Sequence, residues 1–548
     1  MDLLINLFAF YISYALIFFS IAGNGFFISR FINNNDNNIY INFFLALPFL
    51  LLIGFFSYYL FGVSKIFNII ILIFGLFFFF KTIKLDKKFF YLLFFLFILY
   101  PGLIISKSHD DFTLYHFQYL NELVNLPIKI GMGNLDIRYS YSSMFVFLQT
   151  LFYFPYFNFN FFHVPSFLIF VSLIGYLFTT FKIKQKIFNL NFLKVLLSIF
   201  LLVKFSRLSE FGYDFVGQFL LILIFFLIIN KNQKEIFLII YLFFFAFIIK
   251  ANNLIFAFIL LYLLNKSNFI YFFQNIKKNY LIILFTLLLF LSFILNNLFN
   301  SGCLLYFLTD TCLNGSYINW RLDPSDLKIF FSDVELWTKA YHQRIVDLEI
   351  KPEIYVKNFN WLKNWVLIHF FYKIFEFLLI FFTFFFLFLF LFIKKKNINF
   401  TYDKQFISLF LFCLLAIFFW FIKIPQFRFG FSYILFFIMS LFLVFFHIKI
   451  NFDKKCYFFL FFLALVVFNF ININRILIHL KSTHAHKFLN FPWINLQSGD
   501  FVKIITKNGF DYYAPAAPGL SCFNVKTICS ENNISIKYYK NYAFIRKI

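Results

Sequence analysis

The sequence predicts an all-α polytopic membrane protein with about 13–15 transmembrane helices, extracytoplasmic loops and a small α/β C-terminal cap. Two observations lead to this fold class: 62% of the 548 residues are hydrophobic, and the apolar residues form long continuous runs. A soluble domain is closer to half apolar, so lipid must surround most of the chain. Barrel strands would be short and would alternate apolar with polar residues, so the continuous runs indicate helices.

The lysines set the predicted orientation of these helices. They cluster in the short loops between apolar runs, and the positive-inside rule places those loops in the cytoplasm. The orientation of the helices in the membrane therefore explains the net charge of +24, and we expect no nucleic-acid binding. Several runs are shorter than the ~20 residues that one crossing needs. The candidate spans are 3–22, 40–62, 66–80, 89–105, 161–181, 191–205, 214–230, 236–249, 253–264, 280–296, 366–393, 405–423, 431–447 and 456–472.

Three longer stretches then fall on the opposite side of the membrane. They are the first outer segment (106–143), the second outer segment (297–365) and the tail from residue 473, and they hold most of the Asp and Glu residues. We therefore divide the chain into a transmembrane domain at 1–472 and a small extracytoplasmic domain at 473–548. The tail alternates apolar and polar residues in FVKIITKNGFDYYAP and ISIKYYKNYAFIRK, which predicts short strands. Residues 144–158 are apolar but short, and we predict an interfacial or re-entrant helix there.

Cysteine positions agree with this orientation. Cys303 and Cys312 share the second outer segment, and Cys522 and Cys529 share the tail. Two close pairs on the outer side fit disulfides in an oxidising compartment, although four unrelated thiols are the alternative. No histidine lies at ligand spacing near either pair, so a zinc site is not expected.

The first outer segment contains the most informative motif. Asp110 and Asp111 are adjacent, and Tyr115 and His116 follow within about one helical turn. A carboxylate beside an apolar wall can have its pKa tuned by burial and neighbouring charges, and it can then accept a proton from a hydroxyl nucleophile. The alternative is that both aspartates are solvated turn residues or a helix N-cap.

Several further polar residues are candidates for binding a substrate. In GMGNLDIR, which contains Asn134 and Arg138, backbone N–H groups and a guanidinium can approach a phosphate; a tight connection with a solvated arginine is the alternative. Lys250 at a helix end either snorkels to the interface or binds an anion. Arg428 lies in a very short outer turn, where it is either functional or an interfacial anchor. Asp214, with Glu210, lies in another outer turn and is otherwise a solvated acid.

The order of a long outer loop with an early Asp, many helices and an outer C-terminal domain resembles the GT-C superfamily of membrane glycosyltransferases. More narrowly, the chain is similar to a poorly characterised bacterial branch of that type. The segments that carry the resemblance are DFTLYH (111–116), GMGNLDIR (131–138), YDF (213–215), IKAN (249–252), SGCLLY (301–306), NWRL (319–322) and CFNVKTIC (522–529).

This resemblance implies a sugar donor on a polyprenyl phosphate and a catalytic aspartate in the first outer loop. On this sequence that residue is Asp111, with Asp110 second. The chain departs from the metal-dependent GT-C enzymes because no clear D-x-D motif follows its first span. No metal site or cofactor is therefore expected, and a divalent metal stays open. The segment also follows a fourth span, so extra N-terminal helices must be assumed.

The sequence thus leads to a hypothesis of an inverting glycosyltransferase in the bacterial inner membrane, with its catalytic loops and C-terminus extracytoplasmic. Arg138, Lys250 and Arg428 are expected to hold the donor phosphate, Asp111 to act as general base, and Tyr115, His116, Asn134 and Asp214 to bind substrate. The expected partners are the bilayer, a polyprenyl-phosphate sugar and a glycan, lipid or protein acceptor. The alternatives are a transporter or flippase of lipid-linked glycans, which should have broken helices, and an assembly protein without chemistry.

Overall fold

The fold was analysed in a computed structural model of the chain. Two residues named above, Asp110 and Glu210, lie outside the part of the chain that the structure describes. It describes residues 2–31, 38–105, 111–141, 143–180, 188–206, 208, 212–230, 232–316, 318–343, 351–392, 398–399, 404–445, 447–448, 454–481, 486–496, 500–505, 511–517, 522–525 and 527–548.

The described residues are mostly helical, as the continuous apolar runs predicted. The segments Phe112–His116 and Val366–Phe375 are π-helices. The α-helices are α1 (Asp2–Phe31), α2 (Ile39–Phe61), α3 (Lys65–Thr82), α4 (Lys87–Leu99), α5 (Phe117–Val124), α6 (Phe145–Thr150), α7 (Val164–Thr179), α8 (Phe188–Lys204), α9 (Asp214–Ile229), α10 (Ile236–Ile249), α11 (Ala257–Leu260), α12 (Lys266–Asn275), α13 (Tyr280–Ser301), α14 (Pro324–Thr338), α15 (Pro352–Val356), α16 (Leu362–Trp365), α17 (Glu376–Phe392), α18 (Ile407–Lys423), α19 (Phe431–Phe445) and α20 (Lys454–Lys481).

Among the described residues, 8 helices are long and apolar enough to cross a membrane, or 9 if the bent pair Ala251–Leu263 and Lys266–Asn275 forms one span. Much of the difference between this number and the predicted number of spans comes from apolar helices that are shorter. For example, α9 has 16 residues and α10 has 14. At ~1.5 Å per residue α10 is ~21 Å long, which is less than a hydrocarbon core of ~30 Å. The larger predicted number of crossings stays a prediction.

Small residues bring α1 and α3 into close contact. A Cβ atom added at Gly23 of α1 would lie 1.8 Å from the carbonyl oxygen of Gly75 in α3. Helices surrounded by apolar side chains gain little from hydrophobic burial, so close backbone packing of this kind has to stabilise their association. Either glycine replaced by a larger residue would push the two helices apart.

Within the apolar stretch 144–158 the structure has a short buried helix, α6, and the interfacial or re-entrant placement of that stretch stays a prediction. Every residue of α6, which has only 6, is buried. The side-chain amide of Asn68 donates to the carbonyls of Thr150 (2.9 Å) and Tyr153 (3.0 Å), just where α6 ends. Irregular backbone is tolerated inside a helical bundle only when its polar groups form internal hydrogen bonds. Asn68 provides these hydrogen bonds at the end of α6.

The tail is rich in strands, as predicted, and the stretches 501–515 and 534–547 each contain an antiparallel strand pair. After Lys481 the described residues contain strands and no α-helix, and the α part of the expected cap stays a prediction. The strands of the chain are β1 (Ile128–Ile130), β2 (Ile398–Asn399), β3 (His447–Ile448), β4 (His486–Asn490), β5 (Trp493–Leu496), β6 (Phe501–Ile505), β7 (Asp511–Pro515), β8 (Ile534–Tyr539) and β9 (Tyr542–Lys547).

The tail is joined to the rest of the chain more closely than a separate domain would be. The predicted boundary at residue 473 falls inside α20, which continues to Lys481. Strand β1 of the first outer segment pairs in parallel with β9, so that Ile128 lies opposite Tyr542. The structure also joins Cys303 to Cys312 and Cys522 to Cys529 as disulfides.

A buried ion pair, which the sequence did not indicate, holds the same junction together. The Nζ atom of Lys129 lies 3.3 Å from the carboxylate of Glu122, and both side chains are at most 1% exposed. Lys129 also donates to the backbone carbonyls of Glu122 and Asn125, at 2.6 and 2.7 Å. The Glu122 carboxylate accepts the backbone N–H of Cys529 in the tail at 3.1 Å. The pair therefore fixes the first outer segment to the disulfide loop of the tail.

Asn134 serves the same junction. Its side-chain amide donates to the carbonyls of Trp320 (2.9 Å) and Ile545 (3.0 Å), and its own carbonyl accepts from Asn532 (3.0 Å). The residue is 1% exposed. Both amide hydrogens are therefore used to join the two outer segments and the tail, and the expectation that Asn134 binds substrate stays a prediction.

Candidate functional site

Two candidate residues that are 317 positions apart form an ion pair. The Nη1 atom of Arg428 donates to Oδ2 of Asp111 at 2.8 Å. Arg428 lies in the turn Phe427–Phe429 between α18 and α19, while Asp111 begins the described part of the first outer segment. The indole N–H of Trp420 donates to the carbonyl of Gln426 at 3.2 Å, which holds the arginine turn in place.

Two more candidates complete a cluster of four charges. Asp214 forms an ion pair with Lys250, and its other carboxylate oxygen lies 3.2 Å from Nε of Arg428. Asp214 is the first residue of α9 and Lys250 follows the last residue of α10, so each charge lies at the helix end that favours its sign. We call Asp111, Asp214, Lys250 and Arg428 the charged cluster. Its side chains are only 9–21% exposed, and its formal charges cancel.

Aromatic rings surround the two cations of the cluster. The Nζ atom of Lys250 lies 3.9 Å from the ring centroid of Phe429. The guanidinium of Arg428 lies 4.8 Å from the ring of Trp337 in α14 and 5.0 Å from that of Phe429. Ring faces attract cations and exclude water, so the charges of the cluster interact more strongly than they would at an exposed surface.

Tyr115 and His116 lie beside the cluster on the π-helix Phe112–His116, a type of helix that is common at functional sites. The ring of His116 lies 4.3 Å from that of Tyr115 and 4.9 Å from that of Tyr213. Burial lowers the pKa of His116 to about 4, although Asp214 and Asp111 act in the opposite direction. The imidazole is therefore neutral near pH 7, and no described residue bonds its Nδ1 atom.

Arg138 lies outside the charged cluster. Its guanidinium pairs with Asp136, two residues earlier, with Nε lying 2.9 Å from both carboxylate oxygens. It also lies 5.4 Å from the ring of Tyr115, whose centroid is 4.3 Å from that of His116. Arg138 lines a separate cavity of about 510 Å³ between the outer segments and the tail. The expected phosphate contacts of Arg138 therefore have no counterpart in the cluster.

Sequence reasoning missed two polar residues on the π-helix Val366–Phe375. Lys373 is exposed on the outside of the helix bundle and lies close enough to Arg428 for their charges to interact. His369 is 2% exposed, and neither of its ring nitrogens has a hydrogen-bond partner among the described residues. A charged residue inside an apolar run was the available signal, because such residues are costly in a membrane and are often functional.

No group of three or more His, Cys, Asp or Glu residues in the described ranges is arranged to hold a metal ion. The cluster contains two carboxylates, but each of them is paired with a basic side chain. Its chemistry is therefore that of ion pairs, and the sequence-based expectation about metals stays a prediction.

Residues 7–435 match the model of the family described as Domain of unknown function (DUF8201), and the chain belongs to this family. No curated protein and no solved structure matches the chain. The matched range includes all four residues of the charged cluster and most of the helices, while the tail lies beyond it.

Proposed function

We propose that the protein is a membrane glycosyltransferase that moves a sugar from a polyprenyl-phosphate donor to an acceptor hydroxyl at the outer face of the bacterial inner membrane. The observation that carries this proposal is the charged cluster. It brings two carboxylates and two cations together within an aromatic rim, at the ends of apolar helices. A site of this composition suits a substrate whose phosphate carries charge and whose remaining parts are apolar.

The donor phosphate binds by exchange of partners within the cluster. The Nη1 atom of Arg428 donates to Asp111 and its Nε atom lies 3.2 Å from Asp214, and a phosphate accepts paired hydrogen bonds from such a guanidinium. Lys373 is exposed on the outside of the bundle and near Arg428, so it can meet a lipid phosphate that arrives from the bilayer. The phosphate then displaces Asp111 from Arg428, while Asp214 keeps Lys250 as its partner.

This exchange couples donor binding to the activation of the base. An aspartate paired with an arginine is a weak base, because the neighbouring positive charge stabilises its ionised form. Once the phosphate has taken Arg428, Asp111 loses that stabilisation and its affinity for a proton rises. The base is thus activated only when the donor is in place, which protects the donor from attack by water.

In the transfer step, each bond that forms is matched by a bond that breaks. The acceptor oxygen forms a bond to the anomeric carbon as Asp111 takes the hydroxyl proton, and the bond from that carbon to the phosphate oxygen breaks. Polyprenyl phosphate leaves with the bonding electrons, and the configuration at the anomeric carbon is inverted. General base catalysis supplies roughly 10²–10⁴-fold. Arg428 and Lys250 stabilise the negative charge that develops on the leaving phosphate, which is usually the larger contribution.

His116 and Tyr115 position the reacting groups. The neutral imidazole has a nitrogen that no described residue bonds, and it lies between the rings of Tyr115 and Tyr213 beside the cluster. A sugar hydroxyl would be held there without added charge, once a movement of neighbouring side chains exposes the buried nitrogen.

The test is a transfer assay with purified protein, a polyprenyl-phosphate sugar and an oligosaccharide acceptor. Asp111→Asn should lower the transfer rate at least ~10²-fold, because it removes the base and keeps the shape of the side chain. Asp310→Asn is the matched control, since Asp310 is an exposed aspartate of the second outer segment. Transfer by the Asp111 variant within twofold of the wild type would overturn the proposed role.

A transporter or flippase of lipid-linked glycans is the second candidate, and one observation favours it. The helical segment that follows Lys250 is bent by 100° between Ala251–Leu263 and Lys266–Asn275. Broken helices of this kind are typical of transporters, where they carry substrate groups. The bend, however, lies at the far end of that segment from Lys250, and the charged cluster is formed by helix ends and turns.

A further inference from the structure

The cavity that contains Arg138 is built from all three parts of the chain that lie outside the apolar helices. It measures about 510 Å³ and opens between the first outer segment, α14 of the second outer segment and the last strands of the tail. The buried Glu122–Lys129 pair and Asn134 fix these parts to one another, so its walls are held rigidly. A cavity of this size is adequate for a small ligand or for two to three units of a longer one.

The charges around the cavity exclude an anionic ligand. Two of its acids are paired with bases, Asp136 with Arg138 and Asp326 with Lys547, the latter at 2.7 Å. The remaining two, Asp333 and Glu531, have no ion-pair partner among the described residues. With four carboxylates and two cations in the wall, negative charge is in excess. The donor phosphate therefore does not belong here.

The cavity also contains a polar group for which the described residues provide no partner. The side chain of Gln118 lines it and is 4% exposed, and no described residue makes a hydrogen bond to its amide. Buried amides are nearly always hydrogen-bonded, so an unpaired one that points into a cavity indicates a ligand or ordered water that bonds it. Phe330 adds an aromatic wall, with its ring 5.2 Å from that of Tyr141.

We propose that this cavity binds a glycan that is uncharged or carries amino groups, and that it is the acceptor site of the enzyme. The carboxylates offer acceptors and the Gln118 amide offers both a donor and an acceptor, which is the combination that neighbouring sugar hydroxyls match. The face of Phe330 suits the apolar C–H side of a sugar ring. The claim that the cavity binds a glycan stands by itself. The claim that this glycan is the acceptor rests on the proposed glycosyltransferase function.

The position of the cavity supports the acceptor role. The ring of Tyr115 lies 4.3 Å from that of His116 beside the charged cluster and 5.4 Å from the guanidinium of Arg138 in the cavity wall. Tyr141 lies 6.5 Å from Tyr115 and 5.2 Å from Phe330. The two tyrosines therefore connect the residues of the cavity wall to those beside the cluster. A glycan bound in the cavity could extend one hydroxyl past Tyr115 towards Asp111.

Calorimetric titration of the full-length protein in detergent, without any donor, tests the binding. The probes are three trisaccharides of equal length: neutral maltotriose, the cationic trimer of glucosamine and the anionic trimer of galacturonic acid. We expect the neutral and cationic trimers to bind at least tenfold more tightly than the anionic one. Gln118→Leu should weaken their binding at least tenfold, whereas Asp310→Asn should leave it unchanged.

A second variant keeps the inference falsifiable if Gln118→Leu fails to fold. Asp333→Asn with Glu531→Gln removes the two unpaired acids from exposed positions and should reduce the discrimination against the anionic trimer about tenfold. Equal binding of all three trimers to the wild type, or binding of none, would overturn the inference. Trimer binding without sugar transfer would retain the cavity as a glycan site and contradict the glycosyltransferase. Sugar transfer by a protein that binds no trimer would contradict the glycan site and retain the proposed glycosyltransferase.

Discussion

Removal of Arg428 should destabilise the protein by an amount that the geometry of the charged cluster sets. Its guanidinium lies 2.8 Å from Asp111 and 3.2 Å from Asp214, and the three side chains are 9–21% exposed. At an effective dielectric constant of about 20, charges ~4 Å apart attract by about 4 kcal/mol, and the cost of removing them from water offsets part of that. Because the side chains retain some solvent contact, we expect Arg428→Gln to lower the free energy of unfolding by about 3 kcal/mol, at the low end for partly buried pairs.

A double-mutant cycle isolates the Asp111–Arg428 interaction from other effects of the substitutions. Asp111→Asn, Arg428→Gln and the double variant are compared by equilibrium unfolding in detergent, with Asp310→Asn as the control for an exposed aspartate. We expect a coupling energy of about 2 kcal/mol, since the double variant leaves no unpaired charge at this position. Single effects that add to within about 0.5 kcal/mol would show that the two side chains do not interact, and the exchange of partners proposed for the donor would lose its basis.

Three other predictions follow from the same structure. Glu122→Gln should lower the free energy of unfolding by about 3–5 kcal/mol because it leaves the Lys129 ammonium buried alone, and Glu122→Met with Lys129→Met should restore most of it; equal losses in both variants would contradict this. His116, with its pKa lowered to about 4, binds a proton more readily when unfolded, so stability should fall by about 3 kcal/mol from pH 6.5 to pH 4. The same pH scan of His116→Gln should be flatter, and an identical curve would refute the assignment. A cysteine at Tyr156, which is 97% exposed, should react with an impermeant maleimide outside the cell, and one at Ser267 only after permeabilisation; the opposite pattern would invert the proposed orientation.

Much of the fold was predictable from the sequence because its signals are local. Long apolar runs predicted the helices, and alternating residues predicted the short strands within 501–515 and 534–547. The end of α20 was predicted too early, because the helix continues through the polar sequence that follows residue 472. The pairing of β1 with β9 had no local signal, since a strand of 3 residues joins a partner from the other end of the chain.

The residues of the charged cluster were predictable one at a time, but their pairing was not. Each of Asp111, Asp214, Lys250 and Arg428 is an isolated charge at the edge of an apolar run, which the sequence displays directly. Which carboxylate meets which cation depends on how the helices pack, and no spacing in the sequence encodes that. Arg138 lies outside the cluster because Asp136, only two residues away, pairs with it locally.

Lys373 and His369 were missed because the sequence around them is apolar. They lie within a long run of Phe, Leu and Ile, and the apolar character of the run hid the two polar side chains. A rule that every ionisable residue inside a candidate span requires a partner or a role would have identified both. The structure adds the reason to consider them, because the π-helix that carries them contacts the turn of Arg428.

The central claim is that the sugar leaves its lipid at this protein. Purified protein in liposomes, supplied with a polyprenyl-phosphate donor carrying a radiolabelled sugar and with an oligosaccharide acceptor, tests it most directly. We predict that the label moves to the acceptor and that one polyprenyl phosphate is released for each glycosidic bond formed. Label that crosses the membrane while it stays attached to the lipid would contradict the claim and favour the flippase.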